Sequence, residues 1–163
     1  MNEFPPTLKI VTVWLLLGLA IFLGFRTFDA QQQRARFSVV EGGAIEIERG
    51  RDGHYHWPGM LNGRKVDFLI DTGATRSAIS AELAEELELE AMGRVQSSTA
   101  GGMVQGHMAR ADLVLQGGVR AERLPLVVLP ALGDKPLLGM DVLGRLHWRQ
   151  QGGVLRIEAG APR

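Results

Sequence analysis

Hydropathy divides the chain into one continuous apolar run followed by a long series of short alternating segments. Ile10 to Phe25 contains no charge and one hydroxyl, at Thr12. As a helix rising ~1.5 Å per residue it would extend about 24 Å, a short but workable membrane span. Lys9 and Arg26 flank it and can snorkel to headgroups, and Trp14 and Phe25 stand near its ends, where interfacial aromatics collect. The pattern predicts a transmembrane signal anchor over residues 10–26 behind a flank of residues 1–9. A cleaved signal peptide would need a small-x-small site, and Phe28-Asp29-Ala30 offers a bulky Phe instead. A buried soluble helix fits less well, because the run is apolar on every side. Residues 27–37 are polar and read as a stalk.

From residue 38 to 163 the pattern changes to strands punctuated by glycine, which predicts an all-β domain with one short helix. Ala44 to Arg49 alternates, Gly50 to Gly53 turns, and His54 to Leu61 reads as a return strand interrupted by Pro58. Asn62-Gly63 is a strong hairpin signal. The next strand, Arg64 to Ile70, runs straight into Asp71-Thr72-Gly73-Ala74. Ser80 is placed to cap a helix over Ala81 to Leu89, with Leu83 and Leu87 on its buried side. A glycine-tipped hairpin at Ala100-Gly101-Gly102-Met103 leads to a long strand through Leu115, and Gly117-Gly118 turns it back. Leu124 to Leu129 reads as a buried strand. Leu137 to Leu143 starts as strand and turns into a short helix, and Gly152-Gly153 makes the last hairpin.

Composition narrows the chemistry. The 163 residues carry 18 Lys plus Arg against 18 Asp plus Glu, and no Cys. Without a concentrated basic face, nucleic-acid binding driven by phosphate neutralisation is excluded. Without Cys there is no disulfide framework, thiol nucleophile or Cys-ligated zinc. The length allows one domain.

The informative string is Phe68-Leu69-Ile70-Asp71-Thr72-Gly73-Ala74. An Asp set where a buried strand meets a glycine turn loses solvent, which disfavours its charged form. Such a carboxyl has either a chemical role or a plainer one, accepting backbone N–H bonds from Gly73 and Ala74 as in an Asx turn.

With its context, this string resembles the retropepsin-like single-domain aspartic proteases, especially their bacterial membrane-anchored members. The resemblance rests on the apolar strand into Asp71-Thr72-Gly73-Ala74, the Ser77-Ala78-Ile79-Ser80 lead into a helix, the hairpin at Gly101-Gly102, and the Leu137-Leu138-Gly139-Met140 string. It spans roughly residues 40–158. It implies a single-lobed, all-β acid protease fold whose catalytic dyad is two copies of Asp71 across a two-fold axis, since the chain has one such triplet and no room for a second lobe. By resemblance, Asp71 is the catalytic acid/base, Thr72 braces its loop against the partner's, and Gly73 keeps the paired loops uncrowded. Ala74 is the small residue beside the dyad. Residues 99–104, with Ala100, Gly101, Gly102 and Met103 on the substrate, form a flap, and Leu137, Leu138 and Gly139 pack beneath the catalytic loop. No metal or cofactor is implied. The resemblance offers no role for Gln105, Gly106 or His107.

Other residues have plainer readings. His54 and His56, at i,i+2, would share a strand face, but no third metal ligand clusters with them. Asp141 is expected as a helix N-terminal cap, and Trp57 and Trp148 as core or dimer-contact residues. Two functional classes follow. One is a homodimeric endopeptidase in the inner membrane, cutting a protein or peptide near the bilayer. The other is a dimeric peptide-binding module that keeps the fold without the chemistry. The positive-inside bias of Arg26, Arg34 and Arg36 weakly favours a cytoplasmic body, whereas the bacterial resemblance favours a periplasmic one.

Overall fold

The computed structural model describes residues 14–19, 21–22, 36–39, 44–99, 102–130 and 132–158. The chain divides into two units, Met1–Arg34 and Ala35–Arg163. In the first, residues 14–19 and 21–22 are helical, and Trp14, Leu15, Leu16, Leu17, Leu19, Ile21 and Phe22 are exposed. Among the described residues, no helix is long and apolar enough to cross a membrane. The rest of the predicted anchor, the stalk up to residue 35, and Ala100 and Gly101 lie outside the described residues.

The second unit is almost entirely β. Its strands are β1 (Arg36–Val39), β2 (Ala44–Glu48), β3 (His56–Leu61), β4 (Arg64–Ile70), β5 (Ala78–Ser80), β6 (Arg94–Thr99), β7 (Gly102–Leu115), β8 (Val119–Leu129), β9 (Leu137–Leu138), β10 (His147–Gln151) and β11 (Val154–Glu158). Helices α1 (Ala81–Glu86) and α2 (Met140–Leu143) follow β5 and β9. Eight strands run in the order β1-β8-β5-β9-β4-β3-β7-β6, and β7 also pairs with β8, which closes the sheet into a barrel. The strands β10-β11-β2 form a separate sheet. Arg36 and Phe37, expected at the end of the stalk, are the first residues of β1 and pair with Glu122 and Ala121.

Alternation explains most of the barrel. Trp57, Leu61, Phe68, Ile79, Leu113, Leu115, Leu126 and Leu138 are buried in one cluster; intervening residues of β3, β4 and β7 are more exposed, whereas Ala78, Val127 and Leu129, on the other face of β5 and β8, are buried in a second cluster. Trp57 lies inside it and donates Nε1–H to the Gln116 carbonyl at 2.9 Å, so its one polar atom is satisfied. Asn62 and Gly63 both have positive φ, 46° and 83°, as a type I′ turn requires. That turn also bonds to the neighbouring strand β7. Asp112, displaced by a bulge between Ala111 and Leu113, donates its N–H to Asn62 Oδ1 at 2.8 Å and accepts from Asn62 N at 2.9 Å.

Pro58 does not interrupt β3. Ile70 N–H donates to the Tyr55 carbonyl, so alternate residues of β3 face β4, and the N–H that Pro58 lacks falls on the β7 side. There the Pro58 carbonyl still accepts from Gln116 N at 2.9 Å, and the Gln116 carbonyl that an N–H at residue 58 would have faced accepts from Trp57 Nε1 instead, so the missing donor leaves no acceptor unpaired. Ser80 caps α1 as expected, its Oγ accepting from Leu83 N at 3.2 Å. The helix stops at Glu86 rather than Leu89. Glu88 takes a φ of 51° and Leu89 N–H folds back to the Ala84 carbonyl at 3.0 Å, which sets both Leu87 and Leu89 against the core.

Candidate active site

Asp71 is the first residue after β4. Because β4 and β9 pair in parallel, with Leu69 opposite Leu137 and Ile70 opposite Leu138, the ladder continues into the turn. Leu69 N–H donates to the Pro136 carbonyl at 2.8 Å and Asp71 N–H to the Leu138 carbonyl at 3.0 Å. The Asp71 backbone is therefore placed by the barrel itself. Its side chain then shapes the turn, as Oδ1 accepts from Gly73 N at 2.8 Å. This is the Asx-turn bond of the plainer reading, and it engages only one oxygen; among the described residues Oδ2 has no hydrogen-bond partner. Asp71 is partly buried rather than fully desolvated, and Thr72 and Gly73 are exposed. A Cβ at Gly73 would come within 3.2 Å of Asp71 Oδ1, so in the single chain the crowding falls on the carboxylate itself.

Below the turn, two loops are clasped together. Met140 N–H donates to the Ala74 carbonyl at 2.8 Å, and Gly139 N–H to Ser77 Oγ at 3.1 Å. Ser77, fully buried, donates Oγ–H to Asp141 Oδ1 at 2.8 Å, and its backbone N–H is shared by both Asp141 oxygens at 3.0 Å. Asp141 is thus not the N-cap of α2. That position is Gly139, which makes no side-chain cap bond, and the Asp141 carboxylate instead satisfies the buried polar groups of Ser77. Gly139 is required by proximity. A Cβ there would lie 2.5 Å from the Arg76 carbonyl carbon and 2.9 Å from the Ala74 carbonyl oxygen. Gly139→Ala should cost roughly 3 kcal/mol, the upper part of the range for overpacking, because backbone rather than a rotatable side chain must yield. Chemical denaturation of the two proteins measures it.

The Leu137-Leu138-Gly139 string therefore lies directly beneath the Asp71 turn. A pocket of about 240 Å³ opens beside that turn, lined by Tyr55, Ile70, Asp71, Thr72, Leu143 and Trp148, among others. Tyr55 is buried, and its hydroxyl finds no partner among the described residues. A larger apolar groove of about 520 Å³, along Pro58, Met60, Val66 and Val114, includes none of the Asp71 turn. The β6–β7 hairpin pairs Thr99 with Gly102 at its tip; Gly102 has a φ of 108° and Met103 is 61% exposed. Gly106 has a structural reason that sequence reading missed, since a Cβ there would sit 2.2 Å from the Val128 carbonyl oxygen where β7 crosses β8.

His54 and His56 do not share a strand face, because His54 precedes β3 in the Gly50–Gly53 turn region. Among the described residues, no group of three or more His, Asp or Glu is placed to hold a metal ion. His54 N–H donates to Asp52 Oδ1 at 3.1 Å, and His56 Nε2 lies 2.7 Å from Asp52 Oδ2. The His54 N–H, and after it His56, hold the Asp52 carboxyl below the usual carboxylate range. A depressed folded-state pKa stabilises the fold above the unfolded pKa, and that contribution is lost as pH falls through the folded value. Asp52→Asn should therefore lower the melting temperature at pH 7 and leave it nearly unchanged at pH 2 to 3; thermal unfolding at both pH values checks the sign.

Comparison with known proteins agrees with this geometry. Residues 57–145 match the family described as gag-polyprotein putative aspartyl protease, a span of more than half the chain that includes Asp71 and the Leu137-Leu138-Gly139 string. The fold is similar to that of a retropepsin-like aspartic protease from Rickettsia conorii, with a TM-score of 0.56 and 26% identity over 76% of this chain and 92% of that one. An uncharacterised protein of Rickettsia prowazekii (strain Madrid E) is 30% identical over 88 residues, 47% of this chain and only 38% of that relative's length. A Sinorhizobium protein from the cobV 5′ region is 24% identical over 91% of this chain and 72% of its own. The β4 strand that leads into Asp71, the β9 loop clasped beneath it and the extent of the family match together make this chain a member of the retropepsin-like gag-polyprotein aspartyl protease family.

Proposed function

We propose that the protein is a membrane-anchored aspartic endopeptidase in which Asp71 residues of two protomers activate water for peptide-bond hydrolysis. The observation that carries this reading is the Asp71 carboxylate: it sits on a turn braced from below, with one oxygen spent on Gly73 and the other without a partner among the described residues. Two such carboxyls brought about 3 Å apart cannot both ionise, so they share a proton. One then activates water while the other protonates the peptide carbonyl. Thr72, exposed beside Asp71, is the contact with the partner's loop, and Ala74 leaves room for substrate. The β6–β7 hairpin, with Ala100, Gly101, Gly102 and Met103 at its tip, closes over a peptide bound as an added strand and excludes water.

Residues 10–26 are the anchor in this reading. They hold the enzyme in the inner membrane with its domain on the periplasmic side, and two chains confined to one plane meet at raised effective concentration. The substrates are protein segments near the bilayer. The test is to incubate the full chain in detergent micelles with an unfolded protein from pH 3 to 8, beside Asp71→Asn, and to weigh the products by mass spectrometry. Cleavage by the wild type alone, with a bell-shaped pH profile from the shared proton, is the expected result. Equal cleavage by both proteins removes Asp71 from the chemistry. No cleavage by a chain shown to be dimeric moves the protein to the class of peptide-binding modules.

A further inference from the structure

A charged cluster outside the Asp71 turn brings together four side chains from separate segments. His56 projects from β3, Asp52 from the preceding turn, Asp67 from β4, and Lys135 from the segment that leads into β9. The imidazole is the most buried member, 18% exposed, whereas the side chains of Asp52, Asp67 and Lys135 are 47%, 46% and 49% exposed. The turn is wrapped closely on the ring, since a Cβ at Gly50 would meet Asp52 Oδ1 at 2.6 Å and His56 Cδ2 at 3.3 Å.

The tautomer follows from the partners. An ionised carboxylate only accepts, so the 2.7 Å contact with Asp52 Oδ2 requires the proton of a neutral ring to be on Nε2. Nδ1 then presents a lone pair, and Lys135 Nζ lies 3.2 Å away, donating to it. The same ammonium reaches Asp67 Oδ2 at 3.5 Å, and Nδ1 itself is 3.4 Å from that oxygen. Adding a proton to Nδ1 makes the arrangement untenable, because an N–H now faces an ammonium. The Asp67 carboxylate is the acceptor within reach, and Lys135 is the exposed group that can withdraw.

The segment carrying Lys135 leads to the site. Pro136, the next residue, accepts from Leu69 N, and Leu138 accepts from Asp71 N, while His56 pairs with Leu69 on the opposite side of β4. We propose that His56 is a proton-dependent positioning residue for the Asp71 turn: protonation on Nδ1 exchanges Lys135 for Asp67, and frees the 132–136 segment, whose Pro136 carbonyl accepts from Leu69 N–H. The exchange stands without the proposed protease activity; only its effect on rate rests on that reading.

Because the exchange is set by a proton on Nδ1, the test is a pH titration. The full chain, labelled with ¹⁵N in detergent micelles, is followed by NMR as wild type, as His56→Gln and as Lys135→Met. In the wild type the His56 ring should show the Nε2–H tautomer at high pH, and the Leu69 and Asp71 amides should shift with the same midpoint as the ring. His56→Gln should abolish that shared titration. In Lys135→Met, which replaces an exposed head group and keeps the stem, the ring should still titrate while the two amides no longer follow it. Amides that stay flat while the wild-type ring titrates, or that follow it equally well in Lys135→Met, overturn the proposal. With a cleavable substrate, both variants should lose one ionisation from the pH–rate profile and keep their rate at the optimum within about threefold; profiles that superimpose on wild type also overturn it. A chain that cleaves nothing refutes the protease reading and leaves the NMR result to decide this one.

Discussion

Replacing Asp71 by Asn is expected to abolish peptide cleavage while leaving the fold and self-association intact. The change is nearly isosteric. The amide oxygen can still accept from Gly73 N–H, as Oδ1 does at 2.8 Å, so the turn keeps its internal bond and thermal unfolding should move little. What is lost is the ionisable oxygen that no described group engages. Removing a positioned acid or base typically lowers a rate by ~10²–10⁴-fold, and in a homodimer the substitution removes both at once, which puts the loss at or beyond the top of that range. Dimerisation should hold or tighten, because two carboxyls no longer compete for one site. Mixing gives a sharper test than the loss alone. If subunits exchange freely and a competent unit needs two wild-type copies, an equimolar mixture with Asp71→Asn should keep about a quarter of the activity of the same total wild-type chain, as random pairing into two-fold dimers gives. A fall to half would mean that each chain works alone, and the two-copy dyad would be lost with it.

The residues that support this expectation were not equally legible in the sequence. Asp71 at the end of an apolar strand, the Asn62-Gly63 turn and the Ser80 cap are local patterns, each decided within a few residues, and local patterns survive folding. The limits of α1 were misread because Glu88 adopts positive φ to bring Leu89 against the core, a tertiary preference that overrides helix propensity. Pro58 was misread because its cost depends on which neighbour its missing N–H would have faced, and that is set by pairing with β7. Gly106 and Gly139 carry no signal in sequence beyond being glycines; each is fixed by a carbonyl from a distant segment. The Ser77–Asp141 contact joins residues 64 positions apart, and each has an innocent local reading, one as a lead into a helix and the other as a cap. The His56 cluster was hidden for the same reason, as its members come from four segments and only Asp52 and His56 are close in sequence.

Asp141→Ala is expected to be strongly destabilising although residue 141 lies outside the Asp71 turn. Ser77 is fully buried, and the carboxylate accepts both its N–H and its O–H, so truncation strands two donors away from water. At ~1–3 kcal/mol for each buried group left unpaired, the loss should be roughly 2–4 kcal/mol, some of it recovered if water enters beside the partly exposed residue 141. Asp141→Asn should cost about half as much, because one oxygen remains to accept while the new NH₂ faces the Ser77 N–H. Ser77→Ala takes the opposite end of the clasp: it removes the hydroxyl but leaves Gly139 N–H without the acceptor it has at 3.1 Å. The catalytic consequence is separable from stability. Gly139 and Met140 lie under the Asp71 turn through Ser77 and Ala74, and a shift of ~1 Å in a reacting group can cost about 10²-fold in rate. In a double-mutant cycle, Ser77→Ala and Asp141→Ala should therefore be strongly non-additive in both unfolding free energy and rate. Additive effects would mean that the two residues act independently and that something other than this clasp holds the Asp71 turn in place.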